Sequence, residues 1–101
     1  MEMKMEMKKY NIFYQTFAHR TDDWRVDQAA EVITLISSTN DSSEARGAYR
    51  AAEKLIAALP STHHHSIYME NRDGCILFCS SPDSFETRLS VHEIEKRAGR
   101  N

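Results

Sequence analysis

His63-His64-His65 is the densest group of metal-ligand side chains in the sequence. At the start of a strand, His63 and His65 would point the same way, about 7 Å apart. They could then share a metal with His19 or His92. Zinc sites place their ligands at characteristic spacings, usually with a paired Cys-x-x-Cys. Here the cysteines are Cys75 and Cys79, separated by three residues. The simpler reading is a polar loop between Pro60 and the next strand, with no metal. A nucleophilic cysteine needs a helix N-terminus or nearby positive charge to lower its pKa. Cys75 and Cys79 both fall in a strand pattern, which predicts half-buried thiols packed against a sheet face. Residues four apart on a strand are about 13 Å apart, too far for a disulfide. Free thiols suit a reducing, cytoplasmic compartment.

Acid–base chemistry has no obvious pair. Asp22-Asp23 reads as a helix start, and Glu93 and Glu95 as surface charges. The three glycines, Gly47, Gly74 and Gly99, are isolated, so no phosphate-cradling loop is present. No catalytic residue and no cofactor are expected. Arg46, Arg50 and Lys54 form a basic stripe at spacing four, and Lys96, Arg97 and Arg100 cluster near the C-terminus. Either set could track a phosphate backbone. The chain nevertheless has 13 Lys and Arg against 15 Asp and Glu, a net charge of −2. A dedicated nucleic-acid binder shows a basic excess, so nucleic acid is the less favoured partner. Trp24 beside a helix start is either a core anchor or an interface hot spot. The candidate partner-binding residues are therefore Trp24, Arg46, Arg50 and Lys54.

The elements that would position these residues can be read from periodicity. The 101 residues, 41% hydrophobic and 28% charged, fit one globular domain over 1–101. Met1 to Lys8 repeats Met-Glu-Met-Lys, which alternates as an edge strand would, or is a dispensable extension. Lys9 to His19 carries apolar residues on both faces, the mark of a central strand. Thr21-Asp22-Asp23 opens a helix whose buried face is Val26, Ala29, Ala30, Ile33 and Ile36. Asp41 and Glu44 match a capping box. The helix that follows carries Ala45, Ala48, Tyr49, Ala52, Leu55, Ile56 and Leu59 on one stripe. Ser66–Glu70 and Cys75–Ser80 flank Asn71-Arg72-Asp73-Gly74 as a hairpin. Ile67, Met69, Ile76 and Phe78 should share its apolar face. Phe85, Thr87, Leu89 and Val91 alternate as a third meander strand would, a reading preferred over a helix, which would point Phe85 and Leu89 away from Val91 and Ile94. Ser90 and Glu93 cap a short helix that Gly99 stops. The predicted fold class is α+β. An antiparallel sheet is built from an N-terminal strand and a C-terminal three-stranded meander, with two central helices on one face and a short C-terminal helix.

In its length, its Met7-Lys8-Lys9-Tyr10 start and its single compact helix Glu44 to Leu59, the chain resembles small accessory proteins of temperate phages and prophages. That likeness of style implies an antirepressor or an inhibitor of host machinery, and carries over no functional residue. With no apolar run long enough to span a membrane and no secretory signal pattern, a cytoplasmic protein is expected. The leading expectation is a non-enzymatic regulator or inhibitor that binds a protein partner and self-associates as a homo-oligomer. A nucleic-acid-associated protein is the first alternative, and a small metal- or cysteine-dependent enzyme the second.

Overall fold

The computed structural model describes residues 8–18, 32–59 and 63–99. The elements in chain order are β1 (Tyr10–Ala18), β2 (Val32–Thr39), α1 (Ser42–Ala57), β3 (His63–Glu70), β4 (Ile76–Ser80) and α2 (Val91–Ala98). The strands form one open sheet in the order β2-β1-β3-β4, with all neighbours antiparallel. Both helices pack on one face of it, so the fold is α+β. Among the described residues, no helix is long and apolar enough to cross a membrane.

β1 is central, as its two-sided apolar pattern predicts. Tyr10 and Ile12 face the helices and are buried, together with Ile67 and Met69 of β3 and Phe78 of β4. From α1, Ala45, Tyr49, Ala52 and Ile56 complete this core, and Leu89 and Ile94 close its end. The two alanines let the helix approach the sheet closely while Tyr49 fills the gap. Leu55 and Leu59, expected on the same stripe, are exposed.

The helix expected from Thr21 through Ile36 is corrected at its C-terminal end. Val32–Thr39 is a strand, paired with β1 from Tyr10↔Thr39 to Thr16↔Val32. Four of the five residues Val32 to Ile36 are β-branched, which favours a pleated surface over a helix. Val26, Ala29, Ala30 and Trp24 lie outside the described residues, as do residues 1–7 of the Met-Glu-Met-Lys repeat over Met1 to Lys8.

The expected third meander strand is also corrected. Residues 81–90 are turns and loop with one isolated bridge, Ser81↔Ser84. Side chains of α1 take the backbone groups that a strand would need. The Glu86 N–H donates to the Glu53 carboxylate at 2.8 Å, and the Leu89 carbonyl accepts from Arg46 Nε at 3.0 Å. Leu89 still reaches the core.

The hairpin forms where its turn signal lies. Gly74 has φ +86, a left-handed conformation that favours glycine. Asn71 Oδ1 accepts from the N–H groups of Asp73 and Cys75, both at 2.9 Å. The expected face assignment fails at one residue. Met69 faces Phe78 while Glu70 faces Ile76, so Leu77 is an extra, bulged residue. The bulge buries Leu77 and Phe78 together and turns Ile76 outward.

The capping predictions hold in part. The Asp41 carboxylate accepts from the Ser43 N–H, and Ser90 Oγ from the Glu93 N–H. Neither glutamate makes the reciprocal bond of a capping box. Glu44 accepts from the Thr39 hydroxyl, which itself accepts from the Asp41 N–H. Glu93 pairs with Arg97.

Candidate functional site

Alternation along the strands sends Phe13 and Gln15 of β1, and Ser66 and Tyr68 of β3, to the sheet face opposite the helices. Cross-strand register aligns them into rows. Phe13 lies opposite both Leu35 and Tyr68, and Tyr68 lies opposite Cys79. The row Leu35–Phe13–Tyr68–Cys79 therefore crosses all four strands. Its two aromatic rings stack with centroids 5.2 Å apart and planes 20° from parallel. Leu35 and Cys79 at its ends are exposed, and so is Ile33 in the next row beside Gln15 and Ser66. On the other side is the row Ser38–Asn11–Glu70–Ile76, polar except for the exposed Ile76 at its end, in which the Ser38 hydroxyl donates to Asn11 Oδ1. These three rows contain no lysine or arginine.

The helix-side face holds a buried polar cluster. Glu53 Oε1 accepts from Arg50 at 2.7 Å. Glu53 Oε2 accepts from the Ser80 hydroxyl and the Glu86 N–H, both at 2.8 Å. With its one hydrogen given to Glu53, Ser80 Oγ accepts from Tyr49, 2.7 Å away. The Tyr49 hydroxyl also lies 3.2 Å from the Ile67 carbonyl. Burial pushes its pKa well above the ordinary value, and the charge of Glu53 adds to this. Glu53 and Tyr49 are 1% and 0% exposed. Their hydrogen-bonding capacity goes to one another and to neighbouring backbone, so the arrangement holds structure and offers no entry to a substrate.

The sequence-predicted residues separate on this scaffold. Arg46 and Arg50 both reach the Leu89 carbonyl, Arg50 at 3.4 Å, and so fasten the 81–90 loop to α1. Lys54 is exposed on the same helix. Trp24 lies outside the described residues. The histidine run diverges: His65 is buried, with Nδ1 2.6 Å from the Tyr14 hydroxyl and 3.3 Å from Thr16 Oγ1. Its ring stacks on Tyr14 at 5.8 Å. Among the described residues, no group of three or more His, Cys, Asp or Glu side chains could hold a metal ion. Cys75 and Cys79, expected to be half-buried, are both exposed free thiols.

One cleft of about 590 Å³ opens between the hairpin turn and the end of α2, lined by Lys9, Tyr10, Arg72, Asp73 and Glu95 among others. Its charges are of both signs. Burial, and then the charges of Glu95 and Asp41, raise the Tyr10 pKa.

The row on the uncovered face escaped prediction as a unit. Tyr68 and Cys79 share the second face of the expected hairpin and Phe13 lies on a second face of β1, and the β1–β3 and β1–β2 registers join them to one another and to Leu35. Comparison with protein-family models, with curated proteins and with solved structures finds no match.

Proposed function

We propose that this chain is a non-enzymatic regulator or inhibitor that binds a protein partner stoichiometrically and acts by occlusion. The observation that carries this reading is the row Leu35–Phe13–Tyr68–Cys79, half-buried at its centre and covered by neither described helix, with Ile33 beside it. Stacked aromatics with aliphatic neighbours and a polar border have the composition of a protein-binding patch. The absence of lysine and arginine from these rows disfavours a nucleic-acid backbone as the occupant. The antirepressor or anti-host role implied by the sequence likeness is one such activity, and it calls for no cofactor.

The test is affinity capture from the native host, comparing the wild-type chain with Phe13→Glu and Tyr68→Glu. The wild type is expected to retain a protein in stoichiometric amount and both variants to lose it, with far-UV circular dichroism unchanged. Leu55→Glu, exposed on α1 across the sheet, should retain it. Capture that survives both row substitutions, or a wild type that retains no protein, would exclude this reading.

A further inference from the structure

A second surface adjoins the aromatic row and shares Leu35 and Ile33 with it. β2 is an edge strand, and among the described residues no strand pairs with its outer side. Val32 is 53% exposed, Ile33 52%, Leu35 38% and Ile36 44%. Val32 and Thr34 lie on the helix side of the sheet, and Ile33 and Leu35 on the other. Ile36 is the extra residue where the β1–β2 register shifts, since Ile12 faces Ser37 and Phe13 faces Leu35. Edge strands are ordinarily protected by charge, proline or a cover, because their unpaired backbone groups template further pairing. From Val32 to Asn40 there is no charged residue and no proline.

The opposite edge is guarded. β4 has five residues and is bulged at Leu77. Arg97 lies across it, donating to the Leu77 carbonyl at 2.7 Å and stacking over Phe78 at 4.1 Å.

We infer that β2 is a homodimerisation edge, pairing antiparallel with β2 of a second copy about a two-fold axis through Thr34. The occupant follows from charge and symmetry. A foreign strand is selected largely by charged side chains, and β2 presents none. A strand facing itself brings residues near the axis opposite their own kind, where any charge would meet its like. Opposed residues must point to the same side of the sheet, which limits the register to even sums of residue numbers. Thr34 is the centre of the exposed apolar run Val32 to Ile36. Centring there sets Ile33 opposite Leu35, and Val32 opposite the bulged Ile36. It also places the two Thr34 side chains together, a favourable cross-strand pair. The axis is perpendicular to the sheet, so the dimer has one eight-stranded sheet with all helices on one side. Both aromatic rows then lie on the other.

The experiment is sedimentation equilibrium over a range of concentrations on the wild type, Thr34→Lys and Thr34→Glu. The wild type is expected to dimerise reversibly. Each charged variant should self-associate about tenfold more weakly or worse, because like charges meet at the axis. Mixing the two variants should restore a dimer, a rescue that a folding defect would not give. Ile76→Glu, on the opposite edge, should dimerise as the wild type does. A wild type that stays monomeric, a Thr34→Lys chain that dimerises normally, or a mixture that stays monomeric would each overturn the inference. Phe13 and Tyr68 lie on the inner strands and Thr34 lies on the helix side of β2, so the substitutions act at different places and the two readings fail separately.

Discussion

Glu53 keeps a carboxylate at 1% exposure because three donors converge on it from α1, β4 and the 81–90 loop. Removing the acceptor would leave those donors unanswered, although Arg50, at 31% side-chain exposure, can turn partly to water. Glu53→Ala is therefore expected to cost roughly 3 kcal/mol, read as a lower urea midpoint. Tyr49 makes the cluster sensitive to alkali. Its folded-state pKa is raised above the ordinary 10.0, so the fold favours the protonated phenol. That contribution is complete below about pH 10 and is lost as pH rises above it. Tyr49→Phe should cost about 1 kcal/mol at neutral pH and flatten the fall in stability above pH 10, checked by urea unfolding across the alkaline range. None of this was visible in the linear chain. Glu53 sits beside Ala52 on the edge of an apolar stripe, where a glutamate reads as solvent-facing. Its partners Ser80 and Glu86 are supplied by tertiary contact.

At the scale of elements, legibility depended on whether the deciding signal was local. α1, the hairpin and α2 carry their own boundary signals: the N-cap Asp41, Gly74 with Asn71, and the N-cap Ser90 with Gly99. Gly74→Ala is expected to destabilise the protein by about 1–2 kcal/mol through the left-handed φ alone, measurable by thermal unfolding. The two misread segments lacked such signals. Val32 to Ile36 has an apolar spacing compatible with either a helix or a strand. Its β-branching leans toward strand, and pairing with β1 settles it. Phe85 to Val91 alternates like a strand, yet Glu53, Arg46 and Arg50 hold its backbone from the helix side. Side chains anchored to backbone across the fold leave no periodic trace.

For the whole molecule, the consequential fact is that the described helices cover only one side of the sheet. Of the candidate partner residues, Arg46 and Arg50 bond the Leu89 carbonyl, while the proposed row needs the complete β2-β1-β3-β4 order. Cys79 ends that row as an exposed thiol, and Cys75 lies near the hairpin turn, also exposed. Both thiols should alkylate in the native protein. A saturating partner on the aromatic row should slow Cys79 by about tenfold and leave Cys75 near its original rate, since protection follows occlusion. Mass spectrometry of the labelled peptides would resolve the two.

The central place of β1 also has a kinetic consequence. Its first paired residues meet the end of β3, Asn11 opposite Glu70, so this contact closes a loop containing most of the chain. The β3–β4 hairpin and α1 can form from neighbouring residues, whereas β1 must wait for a distant segment. Non-local pairing of this kind slows folding toward the millisecond-to-second range. During synthesis, β1 would leave the ribosome well before β3 exists to pair with it. In that interval the neutral β2 is the neighbour among the described strands that can shield it.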